Sequence, residues 1–135
     1  MIDLPIFRAK KLDSDECVEG WYSDTLFLCM GDIQGHYISY KKINVVGREI
    51  TLQESIDPTT ISIHFPDMLD SKGNKIFASL QEDGKGGDIC DLYLFKNQDK
   101  PTRENYTCRY KNQKIMFKNF NFENYAKIEI IGIQE

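Results

Sequence analysis

Turn signals interrupt this chain at short intervals, and no stretch between them carries helical periodicity long enough for a packed helix. What remains is a series of short apolar runs, which restricts the fold to a mainly β architecture with little helix. Ile6 to Lys11 and Cys17 to Tyr22 flank the polar bend Asp13-Ser14-Asp15. Thr25 to Met30 meets a break at Gly31-Asp32, and the pattern resumes at His36 to Tyr40. Ile43 to Leu52 follows as a strand, with Gly47 as a bulge or turn. From Thr59 to Phe65 the residues Ile61, Ile63 and Phe65 alternate with Ser62 and His64, the period-two signature of a half-buried strand with His64 on its polar face. Asp70-Ser71-Lys72-Gly73-Asn74 is a turn in which Gly73 supplies a positive φ. Ile76 to Leu80 leads to a second break, Asp83-Gly84-Lys85-Gly86-Gly87-Asp88, and then to Ile89–Phe95, Tyr106–Tyr110, Ile115–Phe117 and Ile128–Ile133. Single helical turns are expected at Asp57-Pro58-Thr59-Thr60, where Pro takes the tolerated first position, and at Glu123-Asn124-Tyr125.

At 135 residues the chain has the length of one domain, residues 1–135, and its 8 Phe, 7 Tyr and 1 Trp supply bulk for one core. No apolar run approaches the roughly 18–20 residues of a membrane span. The opening Met1-Ile2-Asp3-Leu4-Pro5 lacks the basic start and apolar stretch of a secretory signal. The expectation is a soluble protein of a reducing compartment with no membrane partner. Cys17, Cys29, Cys90 and Cys108 are accordingly expected as reduced thiols that pack like small hydrophobes.

The familiar chemistries leave no mark. There is no C-x-x-C pair, and His36 and His64 lie near none of the cysteines, so no metal site is expected. Nucleophilic catalysis needs a Ser, Thr or Cys beside a base, and no such motif is present. The expectation is a protein without enzymatic activity, catalytic residues or cofactor. The glycine-rich break departs from a phosphate-binding loop because Lys85 precedes Gly86 and a strand follows, so it reads as a turn. Asp13, Asp15 and Glu16 read as a solvated bend, since Val18 and Asp24 stand where a calcium loop places Gly and Glu.

One compositional anomaly remains. Residues 96–118 hold 7 basic and 2 acidic side chains within a chain of net charge −4. Lys96, Lys100, Arg103, Arg109, Lys111, Lys114 and Lys118 interleave with Phe95, Tyr106, Tyr110, Phe117, Phe120 and Phe122. Small barrels bind single strands by stacking bases on aromatics within a positive groove. Lys96, Arg109, Tyr110, Lys111, Lys114 and Lys118 are therefore the candidate nucleic-acid or partner surface. Against this, inward aromatics alternate with outward Lys and Arg in any small barrel, and an acidic whole opposes long-range attraction to nucleic acid.

Four blocks carry a resemblance. Phe7-Arg8-Ala9-Lys10-Lys11-Leu12 with Val18-Glu19-Gly20-Trp21-Tyr22 is similar to an "FRAK-L…-VEGYY" opening, and Ile56-Asp57-Pro58-Thr59-Thr60-Ile61 to "IDPETV". Asp70-Ser71-Lys72-Gly73-Asn74-Lys75-Ile76-Phe77 is similar to "DKNGKEIF", and Gly87-Asp88-Ile89-Cys90 to "GDIV". In that order the blocks resemble the YopX family of bacteriophage and prophage proteins over most of the chain. Asp67-Met68-Leu69 stands where the family has "TGL", and the link from Ala78 through Gly87 is longer than the common "EGD". The resemblance implies a bacterial host cytoplasm and assigns no residue a catalytic or binding role.

The expected architecture is a set of antiparallel hairpins over about residues 1–82, packed on a small SH3-like β-barrel over about 83–135 within one core. Gly20 is expected to bend the chain so that Trp21 and Tyr22 enter that core. The expected function is that of a phage accessory protein acting through protein–protein contacts, with itself as a homo-oligomer or with a phage or host protein. The alternative is nucleic-acid binding, single-stranded or duplex, through the 96–118 face.

Overall fold

The computed structural model describes residues 5–26 and 33–135. The first four residues, Cys29 and the Gly31-Asp32 break lie outside the described residues. The protein is mainly β, and its eleven described strands belong to one open sheet. Strand β1 (Ile6–Lys10) pairs antiparallel with β2 (Cys17–Leu26) on one side and with β5 (Ser62–His64) on the other. Beyond β2 come β3 (Ile33–Ile43) and β4 (Glu49–Ser55), each antiparallel to its predecessor. On the far side of β5 lies β6 (Ala78–Ser79), which meets β8 (Arg103–Lys111) in a parallel bridge, Ser79 to Arg109. β7 (Asp88–Tyr93) pairs with the first half of β8 and with β11 (Lys127–Ile133). The second half of β8 pairs with β9 (Lys114–Phe117), which pairs in turn with β10 (Phe120–Asn121).

Local chemistry accounts for most of the turns. Asp57 Oδ1 accepts the Thr59 N–H at 2.9 Å and caps a single 3-10 turn, Pro58–Thr60. Phe122–Asn124 forms another before β11. Asp70 Oδ1 accepts the N–H groups of Lys72 and Asn74 at 2.9 and 2.8 Å, which closes the turn at Gly73 with φ +84°. Burial alone would raise the Asp70 carboxyl, but these donors and the Ile130 N–H bring it below the usual range. The turn expected at Gly47 within Ile43 to Leu52 is present: β3 ends at Ile43, and Asn44 to Arg48 turn, with Gly47 at φ +80°, before β4 begins.

The β8–β9 connection is a two-residue loop, Asn112-Gln113, with φ of 52° and 62°, as a type I′ hairpin requires. Glutamine is poorly suited to that conformation. Gln113→Gly is expected to raise stability by about 0.5–1 kcal/mol, relief of left-handed strain outweighing the lost chain entropy. The readout is a higher urea midpoint at unchanged slope, and a lowered midpoint would contradict this account of the turn.

Two buried clusters meet at Phe7. The larger joins Ile63, Met68, Ile76 and Ala78 to Cys90, Leu92, Cys108, Phe117 and Ile128. The smaller gathers Ala9, Val18, Ile38, Ile56 and Ile61 inside the curl of β1–β4, which is held by a Lys11–Ile56 bridge. Two expectations are corrected. β5 is not half-buried: Ser62, Ile63 and His64 are all buried, because β1 and β6 flank the strand and both its faces are covered. His64 Nδ1 lies 3.0 Å from the Ile76 carbonyl oxygen, inside the protein. Trp21 does not enter the core, being 48% exposed, and Gly20 is needed for a different reason. A Cβ there would overlap the Ser39 carbonyl of β3.

Candidate functional site

The basic segment is divided among different parts of the fold. Strand alternation puts Arg109 and Lys111 on one face of β8, and Lys111 faces Lys114 directly across the hairpin. Tyr110 points the other way and packs on Phe65, with ring centroids 5.4 Å apart. Lys96 is exposed in the loop at the opposite end of β8, and Lys118 occupies the β9–β10 turn. Only Arg109, Lys111 and Lys114 come together.

Apart from Phe95, which is 67% exposed, the aromatic rings of the segment are already engaged. A bulge at Glu104 and Asn105 (φ of Asn105 60°) opposes Asp91 and returns Arg103 to the core side of β8. There its guanidinium lies 3.5 Å from the Phe120 ring centroid, and its Nε donates to the Tyr125 hydroxyl at 3.1 Å. Lys118 Nζ lies 5.1 Å over the Tyr106 ring. Rings covered by the chain's own cations are not open platforms for stacked bases.

The Gly86-Gly87-Asp88 end of the glycine-rich break is a buried structural centre. Arg8 Nη2 donates to Asp88 Oδ1 at 2.8 Å and to the Gly86 carbonyl at 2.9 Å, while Asp88 Oδ2 accepts the Phe77 N–H at 2.8 Å. The Arg8 guanidinium also lies 4.4 Å over the Phe77 ring. Burial pushes the Asp88 carboxyl above its ordinary value, against the downward pull of the Arg8 charge and the Phe77 N–H. Ser79 Oγ donates to the Lys85 carbonyl at 2.7 Å, and Gly86 and Gly87 are pressed against Thr60, Cys108 and Ser79. Arg8, Asp88 and the Gly86 carbonyl are occupied by one another.

Cys90 and Cys108 are buried free thiols whose ionisation burial strongly disfavours, and Cys17 is free and exposed. Among the described residues no group of three or more His, Cys, Asp or Glu side chains is placed to hold a metal ion. None of the described helices is long and apolar enough to cross a membrane.

The most distinctive surface feature is the β3–β4 turn. Ile43, Val45 and Val46 are 60%, 103% and 79% exposed. The turn is nevertheless ordered from within: Asn44 Oδ1 accepts the N–H groups of Val46 and Arg48 at 3.1 and 2.9 Å, and the Gly47 N–H donates to the Asn44 carbonyl at 3.0 Å. Gly47 marks a bulge or turn here in the sequence, whereas Asn44, which holds the turn from within, is not singled out there. Arg8 and Asp88 lie 80 residues apart, and nothing local marks them as partners.

No family model, no curated protein and no solved structure matches this chain.

Proposed function

We propose that this chain is a YopX-like accessory protein of a phage or prophage, acting in the bacterial cytoplasm through protein–protein contacts rather than by catalysis, with the β3–β4 hairpin as its contact element. The carrying observation is that Ile43, Val45 and Val46 are displayed on a turn that Asn44 holds in shape. Exposed apolar side chains on an ordered backbone bind with little further loss of chain entropy. The four blocks that carry the YopX resemblance meet in this fold: Arg8, Thr60, Phe77 and Asp88, one from each, surround the buried centre.

We read β7 to β11 as a small SH3-like arrangement. In support, β8 is shared between β7 and β9, a 3-10 turn precedes β11, and β11 returns to β7. Its union with residues 1–82 in one domain is supported by the larger buried cluster, which draws side chains from both parts.

The experiment is a tagged pull-down from infected host cells, with and without nuclease, comparing wild type with Val45→Ser/Val46→Ser. Both residues are solvent-exposed, so the variant keeps its stability, and recovery of the bound protein is expected to fall about tenfold or more. Undiminished recovery by the folded variant would remove the hairpin from the function. Loss of captured material on nuclease treatment would move the reading to nucleic acid.

A further inference from the structure

The outer strand of the same hairpin carries its own recognition pattern. In an antiparallel pair, hydrogen-bonded and non-hydrogen-bonded residue pairs alternate. The Asn44 N–H donates to the Arg48 carbonyl at 2.9 Å, and the Ile56 N–H to the His36 carbonyl at 3.0 Å. Between these two points the even-numbered residues of β4 therefore bond inward to β3, and Glu49, Thr51, Gln53 and Ser55 direct their N–H and C=O groups outward. The Ser55 carbonyl is taken by the Leu12 N–H at 2.9 Å, and no strand among the described residues pairs with the outer side of Glu49, Thr51 or Gln53.

The other long edge is protected. On β11 the Ile128 carbonyl accepts the Ser71 N–H at 2.9 Å, the Ser71 turn residue following Asp70 directly. The Asp70 turn lies along that edge as a cover, whereas among the described residues β4 is covered only at its Ser55 end, by Leu12.

We infer that a second copy of this chain occupies the β4 edge, antiparallel, with the twofold axis at Thr51. This rests on the reading that the protein works through contacts, and it names one partner and its register. Outward-facing residues must meet outward-facing residues, which leaves few registers. With the axis at Thr51, that residue meets its own copy and Glu49 meets Gln53. Ile50 then lies opposite Leu52, and Arg48 opposite Glu54, each contact occurring twice.

The alternatives match less well. An axis at Glu49 sets two carboxylates against each other. An axis at Leu52 or Gln53 drives the partner strand into the end sealed by Leu12. An axis at Ile50 puts Arg48 opposite Leu52 and leaves Glu54 facing Val46. The exposed Arg48 has no ion-pair partner among the described residues. Glu54 accepts the Tyr40 hydroxyl at 3.1 Å and lies 3.8 Å from Lys11 Nζ, so its carboxylate is fixed on the strand face where the partner's arginine would arrive.

A single strand pair is at the low end of interface sizes, so the dimer is expected to be weak and visible only across a concentration series. Sedimentation of the full chain should show a monomer–dimer equilibrium. Arg48→Glu and Glu54→Arg, each placing like charges together twice, should each weaken it about tenfold or more. An equimolar mixture of the two variants should restore it, because each introduced charge then meets its opposite. Thr51→Pro should abolish dimerisation at unchanged circular dichroism, since the lost N–H faces outward and takes no part in the β3–β4 ladder.

A wild-type chain that stays monomeric throughout the series overturns the inference while leaving the valine pull-down result intact. A dimer indifferent to Thr51→Pro or Arg48→Glu also overturns it, whether or not Glu54→Arg folds.

Discussion

Arg8→Met should cost this protein about 3–5 kcal/mol at neutral pH, the usual penalty for leaving one member of a buried ion pair alone. Against a typical total of about 5–15 kcal/mol, that is enough to bring the protein close to unfolding. Methionine keeps much of the volume over Phe77 but gives up the bonds to Asp88 and the Gly86 carbonyl. Asp88, 1% exposed, must then hold its charge with only the Phe77 N–H or take up a proton.

The pH dependence follows in sign. Burial already raises the Asp88 carboxyl in the wild type, and removing the guanidinium raises it further. Between the unfolded and folded pKa values the folded variant binds more protons than the unfolded chain, so its stability falls as pH rises. The deficit relative to wild type is therefore smallest below the ordinary carboxylate range and grows toward neutrality by up to about 1.4 kcal/mol per pH unit. Arg8→Met/Asp88→Asn removes the titrating group and should recover a large part of the loss at pH 7. Urea unfolding of both variants across pH tests this. A deficit that does not change with pH, or a double variant no more stable than the single one, would mean that the pair is not the source of the loss.

What could be read locally was set by contacts within a few residues. The Asp57 cap, the Gly73 turn and the bend at Asp13-Ser14-Asp15 depend on side chains bonding to backbone close by. The misreadings occur where distant strands decide the environment. Alternation at Ser62 and His64 indicated a solvent face, but Ile76 and Phe77, more than ten residues away, lie against His64 and cover it. The basic segment was legible as charge but not as faces, because the Asn105 bulge shifts the alternation and returns Arg103 to the rings. At the contact turn Gly47 was legible as a bulge or turn, but the extent of the break was not. Its valines read as strand, and only the Asn44 side-chain bonds show that they end one.

Gly86→Ala is the second severe substitution, and it separates glycines that the sequence makes look alike. A Cβ at Gly86 would lie closer than 3.0 Å to the carbonyl carbon and oxygen of Thr60, and the residue sits at φ +87°. Overpacking against backbone and left-handed strain together should cost about 3 kcal/mol or more. Gly73 has nearly the same backbone, φ +84°, but nothing within 4 Å of its Cβ position, so Gly73→Ala should lose only about 1 kcal/mol. The difference between the two isolates the packing cost. Gly86 is also bonded in place through its N–H to the Gln134 carbonyl at 2.8 Å and its carbonyl to Arg8 at 2.9 Å. Any shift that makes room for the new methyl group must stretch the Arg8 contact. Gly86→Ala and Arg8→Met should therefore be non-additive, the double variant losing less than the sum of the singles. A Gly86→Ala loss no larger than that of Gly73→Ala would show that the loop yields freely, and the centre around Arg8 and Asp88 would then not depend on its close packing.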